Sequence, residues 1–219
     1  MDIDTIKKII QDFFQEGTVT IVGSGLSLAE GIPGMGELAK KLQMEIPGLL
    51  SATGDIKNWN NIENDLAKGV GLEEALHNTK PSSYVEECIR KVTAIYIGEA
   101  DKRLLTDIVK TGKQLRFSEY LQRFNIRNEG MTVITTNYDR LLEYACETNE
   151  IMADTLFVGK YIARFKPNQS KYASCIGVQR TNGKGKKLQY SPRVIILKPH
   201  GCLSWHLINS IPYSLPDYS

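Results

Sequence analysis

Cysteine is scarce in this chain: four in 219 residues, at 88, 146, 175 and 202, with no CxxC pair. That spacing offers neither a disulfide framework nor a zinc ribbon, and it points to reduced, structural thiols. Long apolar runs are also missing. The apolar stretches are a handful of residues, such as VIIL at 194–197, and the N-terminus opens MDIDTIKKII with two acids. Neither a membrane-spanning helix nor a secretory signal is therefore expected, and the expected location is the cytoplasm. With 18 Gly and 8 Pro the chain is neither collagen-like nor low-complexity, while 42% hydrophobic and 24% charged residues suffice for a buried core. The length suits one domain, or a core with a small lobe, and there is no internal repeat.

Acids nearly vanish from the last third. Residues 155–219 hold ten Lys and Arg against one acid, Asp217, whereas residues 1–154 hold 17 against 24, so the formal net charge of +2 joins parts of −7 and +9. Such a segment suits a phosphate-bearing ligand, nucleic acid or an acidic partner surface, a solvated basic loop being the plain alternative. One pyrophosphate needs few donors, so the spare charge points to assembly with another copy or another protein. Nucleic acid ranks behind protein because no nucleic-acid motif is present.

Ile6, Ile9, Ile10, Phe13 and Phe14 recur at helical spacing over 4–16, with Asp4 as cap and Gly17 as terminator. TVTIV at 18–22 is β-branched without alternation, the pattern of a strand covered on both faces of a parallel sheet. GSGLSLAEGIPGMG at 23–36 reads as loop and ELAKKLQMEI at 37–46 as helix up to Pro47. Residues 48–128 read as a helical insertion, with segments at 61–68, 72–78, 82–110 (a break being allowed at Gly98) and 117–125. MTVITT at 131–136 is a second buried strand, followed by helix 138–149, and VIILK at 194–198 is a third. The residues between, 150–193, suggest a small basic lobe with short β pieces and a TNGKGKK turn. The expected fold is α/β, an open parallel Rossmann-like sheet flanked by helices, with ligands beyond the strand carboxyl ends.

Gly23, Gly25 and Gly31 follow a buried strand and precede a helix, where backbone N–H groups can hold a pyrophosphate. The GxGxxG fingerprint is incomplete, since position 28 is Leu28, and the glycines alone also fit a structural turn. Asn137 can be read as a helix N-cap and His200 as a core histidine before a turn. His77 and His206 lack metal-ligand spacing, Ser27 sits in no GxSxG elbow, and a Cys202–His200 dyad is disfavoured because residues two apart at a turn rarely face each other. No metal is expected.

Three motifs taken together carry more. GSGLSLAEGIP at 23–33, TTNYDRLLE at 135–143 and LKPHGCLSW at 197–205 each close an expected strand, and in that order they resemble the motifs of the SIR2 (sirtuin) superfamily. The resemblance implies a single NAD-binding domain over 1–219. It places Gly23, Gly25 and Ser27 near the phosphates, with Ser24, Ile32 and Pro33 among the NAD contacts. Asn137 and His200 fall at the nicotinamide ribose and Asp139 near the carboxamide. The residue types suit cleavage of the nicotinamide–ribose bond. That cleavage passes through an oxocarbenium-like state, and nicotinamide leaves neutral without an acid, so the need is a positioned water or hydroxyl. Asn137 offers a fixed donor and acceptor, and His200 an imidazole, a group that ordinarily titrates near ~6.5.

The chain departs from the sirtuin deacylases in two places. Gly34, Met35 and Gly36 stand where those continue with aspartate, phenylalanine and arginine, and the two zinc-binding CxxC pairs are absent. The pattern that remains is similar to the zinc-less SIR2-like domains of bacterial antiphage systems, which implies NAD hydrolysis and NAD depletion in defence, in a homo-oligomer or a complex with another defence protein. Only 19 residues follow His200, so the usual C-terminal adenosine contacts are expected from a partner or second subunit, from a reorganised 150–193 segment, or from residues outside this sequence. A non-catalytic NAD or ADP-ribose binder and an NAD-dependent deacylase or ADP-ribosyltransferase are the competing readings.

Overall fold

The computed structural model describes residues 2–12, 17–124, 130–180 and 186–216. In chain order its elements are α1 (Ile3–Asp12), β1 (Val19–Val22), α2 (Ser24–Ala29), α3 (Met35–Leu49), α4 (Thr53–Ala67), α5 (Leu72–Asn78), α6 (Ser83–Thr111) and α7 (Arg116–Leu121). They continue with β2 (Met131–Thr135), α8 (Leu141–Glu147), β3 (Met152–Asp154), β4 (Phe157–Val158), β5 (Ala163–Phe165), α9 (Pro167–Ala173), β6 (Cys175–Arg180), β7 (Lys186–Tyr190), β8 (Arg193–Leu197), β9 (Trp205–Ile208) and β10 (Ile211–Ser214). The chain divides into two compact units, one of Met1–Leu26 with Thr111–Ser219 and one of Ser27–Lys110.

The first unit is built on a parallel sheet in the order β1-β2-β8-β3, with α8 against β8 and β3. The three apolar runs are its first three strands, so the α/β expectation holds. Val22 lies beside Thr135 and Ile134 beside Leu197, which ends the three strands nearly level. Val133, Val194 and Ile196 are fully buried on one face. Two smaller antiparallel groups follow, a sheet in the order β4-β5-β10-β9 and the β6–β7 hairpin. Asn209 and Ser210 link β9 to β10 with φ of 50° and 62°, a two-residue turn whose twist matches the strands it joins.

The second unit is helical. Leu38, Leu42 and Ile46 of α3 pack with Trp59 and Ile62 of α4, Leu72 and Ala75 of α5, and Val85, Cys88 and Val92 of α6. In α6 the buried positions Val85, Cys88, Val92, Ile97, Ala100, Leu104 and Ile108 keep a helical stripe through Gly98, so the helix runs unbroken.

Several boundaries differ from the sequence expectation for identifiable reasons. Asp2, and not Asp4, caps α1, its carboxylate accepting the Thr5 N–H at 2.8 Å. Phe13 and Phe14 lie outside the described residues, as do Asn125 and the turn at 181–185. Within 23–36, residues 24–29 are helical. Pro47 lies inside α3, two residues from its end. β1 is not covered on both faces: it is an edge strand, and Ile21 is 80% exposed. In the expected basic lobe β3 joins the parallel sheet, while β4 and β5 share a sheet with β9 and β10.

β3 is held by charge. Arg193 Nη1 donates to Asp154 Oδ2 at 2.5 Å with both side chains buried, and Asp154 Oδ1 accepts the Leu156 N–H at 2.9 Å. Gly130 backs onto this arginine with φ +84°, and a Cβ there would lie 3.2 Å from Arg193 Cγ. Asp154→Ala leaves a buried guanidinium uncompensated and is expected to lower stability by about 3–5 kcal/mol. The denaturant midpoint measures it, and a loss under about 1 kcal/mol would show that the pair does not anchor β3.

Candidate active site

β1 runs into Gly23, and α2 starts one residue later. Gly23 and Gly25 have φ outside the left-handed region, and a Cβ built on either meets nothing within 4 Å. Their backbone does not require glycine, so what they give is a bare first turn. Gly31 is different. With φ +88° it takes the position just past the end of α2, its N–H bonding the Leu28 carbonyl (3.1 Å) and the Ile32 N–H bonding the Ser27 carbonyl (2.9 Å). That is a Schellman closure, and Pro33 then prevents the helix from continuing. Ser24 and Gly25 belong to the first unit. Ser27, Ile32 and Pro33 belong to the second, where Ser27 and Ile32 are buried.

Asn137 follows β2. Its backbone N–H donates to Thr135 Oγ1 at 3.1 Å, and its side-chain Nδ2 donates to the Gly23 carbonyl at 3.0 Å, tying the second motif to the first. The next residue ties it to the third: the Tyr138 carbonyl accepts the Leu203 N–H at 3.0 Å, and the Tyr138 and His200 rings lie 6.5 Å apart. His200 is exposed, which removes the core-histidine reading, and Gly201 (φ +92°) turns the chain back behind it. Asp139, and not Asn137, meets the helix start: it is buried, and its Oδ1 accepts the Leu141 N–H at 3.1 Å. Gly23, Asn137, Asp139 and His200 thus lie together past the carboxyl ends of β1, β2 and β8.

Sequence reasoning missed Lys198. This residue follows β8 directly and is buried; its Nζ lies 2.9 Å from Glu143 Oε1 of α8, donates to the Asp139 carbonyl, and lies 3.8 Å from Cys202 Sγ. Burial works to lower the lysine pKa, but the Glu143 carboxylate outweighs it and the net direction is upward. Burial pushes the Glu143 carboxyl upward against the pull of Lys198. Only the topology, which sets α8 against the end of β8, makes this pair visible.

Cys202 Sγ faces Lys198 and, at 3.7 Å, Ser204 Oγ. Burial raises its thiol pKa, and burial raises that of Cys146 further. A raised thiol is a poor nucleophile, which counts against the Cys202–His200 dyad. Among the described residues no group of His, Cys, Asp and Glu could hold a metal ion, and no helix is long and apolar enough to cross a membrane. With native protein at pH 8, alkylation is expected at the half-buried Cys175 first and at least about tenfold slower at Cys146 and Cys202. Peptide mapping reads this, and equal labelling of Cys202 and Cys175 would contradict the burial argument.

No curated protein matches the chain. Residues 131–219, which hold the asparagine and histidine motifs, match the family model described as the SIR2-like domain. Over these residues the chain is similar to the SIR2-like domain, and the glycine turn of β1 is hydrogen-bonded to the asparagine of that segment.

Proposed function

We propose that this chain is an NAD glycohydrolase, cleaving NAD to nicotinamide and ADP-ribose. The observation that carries the reading is the stitching together of three strand ends, with the Asn137 amide fixed on Gly23 and His200 exposed beside Tyr138. The residues fit the substrate. Ser24 and Gly25 offer a bare helical turn for phosphate, Asn137 a held carboxamide, and His200 an imidazole open to solvent. Asp139 completes the proposed NAD contacts of this unit.

In this scheme the nicotinamide–ribose bond breaks, its electron pair leaving with nicotinamide, and water adds to the oxocarbenium-like sugar. His200 accepts the proton of that water, and Asn137 orients it or the ribose hydroxyls. Gly34, Met35 and Gly36, standing where sirtuin deacylases continue with aspartate, phenylalanine and arginine, favour hydrolysis over deacylation. Likeness to zinc-less SIR2-like domains supports a role in antiphage defence by NAD depletion.

Activation by assembly, as a homo-oligomer or with a second defence protein, rests on the basic segment. Arg193 and Lys198 are taken up by buried acids, whereas Lys160, Arg164, Lys166, Lys186 and Lys187 are exposed. These face outward for an acidic protein surface. Lys184 lies outside the described residues.

His200→Ala and Asn137→Ala are each expected to remove at least about a hundredfold of NAD cleavage with the fold intact. Nicotinamide release by the assembled enzyme measures this, and cleavage that survives both substitutions would overturn the site. Gly25→Val sits where a Cβ finds open space and costs a helix less than ~1 kcal/mol. The variant should fold and bind NAD at least about tenfold more weakly by calorimetry; unchanged affinity would count against a phosphate-holding turn.

A further inference from the structure

Beneath the strand ends that carry Asn137 and His200 lies a buried cation to which the reaction scheme gives no part. Lys198 is two residues before His200, and its side chain is 1% exposed. It does more than pair with Glu143. A lysine ammonium has three donors, and here one meets Glu143 Oε1 and another the backbone carbonyl of Asp139, two residues after Asn137. The lysine backbone belongs to the histidine loop, where its carbonyl accepts the Gly201 N–H at 3.0 Å, while its side chain grips the asparagine loop. The Leu203 N–H to Tyr138 carbonyl bond is the second tie between the same two loops. Two contacts therefore fix the loop bearing Asn137 against the loop bearing His200, and one of them is a charge-assisted bond in a dry site, of the stronger kind.

We infer that Lys198 is a positioning residue, oriented by Glu143, which sets the separation of Asn137 and His200 through the Asp139 carbonyl. This rests on the proposed NAD reaction for its kinetic consequence and on geometry alone for its structural one. Loop misplacement of about 1 Å can cost catalysis about a hundredfold while leaving remote binding contacts in place. A buried pair can also be neutral for stability when both charges are replaced together. Positioning and stability can therefore be separated.

The test compares Lys198→Met, Glu143→Gln and the double variant Lys198→Met/Glu143→Met in the full chain and any assembly it forms, with Lys57→Met, at an exposed position of α4 outside the basic segment, as the surface control. Lys198→Met is expected to lower kcat for NAD cleavage by at least about tenfold with KM within about twofold. The double variant should regain thermal stability without regaining kcat, because the Asp139 carbonyl is still unheld. An activity that recovers together with stability would overturn the inference in favour of a merely structural pair. A second readout needs no turnover: the NMR signals of the Asn137 side-chain amide and the His200 ring should shift in Lys198→Met and in the double variant, and stay in place in Lys57→Met. Wild-type positions for both signals in a folded double variant would overturn it even if the chain never cleaves NAD. Should Lys198→Met fail to fold, the double variant and Glu143→Gln decide by the same two readouts, Glu143→Gln being expected to shift the same signals because it loosens the ammonium.

Discussion

The molecule's chemistry depends on the level register of three parallel strands. Val22, Thr135 and Leu197 end nearly together, so the loops after them start from one line although 113 and 62 residues separate them in sequence. A strand slipped by one residue would turn its buried face outward, and Val133, Val194 and Ile196 resist that slip. With the register fixed, short side-chain reaches suffice. Asn137 spans to Gly23 in one hydrogen bond, and Lys198 spans to α8 in one ion pair.

β8 is pinned at both ends by buried charge. Its first residue, Arg193, pairs with Asp154 on β3, and the residue after its last, Lys198, pairs with Glu143 on α8. Desolvating four charges gains little net stability, but a displaced partner is costly, so the two pairs act chiefly to specify where the strand lies. The strand so held is the one that presents His200. Its central position, between β2 and β3, explains why both of its neighbours carry a matching acid or a loop within reach.

Much of this was readable from the sequence where local pattern governs. The apolar runs at 19–22, 131–135 and 194–197 are strands because β-branched residues without polar alternation suit a parallel sheet. The strand ends were legible for the same reason, and with them Gly23, Asn137 and His200. What the sequence hid depends on pairing. β3 is three residues long and has no pattern of its own; it is a strand because Asp154 meets Arg193. Lys198 looked like one more cation in a basic segment until α8 was placed beside it. The helical turn at 24–29 was masked by its glycines, whose composition signals loop, and Gly31 is the only glycine between 23 and 31 whose conformation demands one.

The reaction itself is tested most directly by incubating NAD with the full protein, alone and in any complex it forms, and resolving the products by chromatography. The account predicts nicotinamide and ADP-ribose released in equal amounts without an acyl-peptide acceptor. Stoichiometric NAD binding with no nicotinamide, in the free and the assembled protein alike, would contradict it.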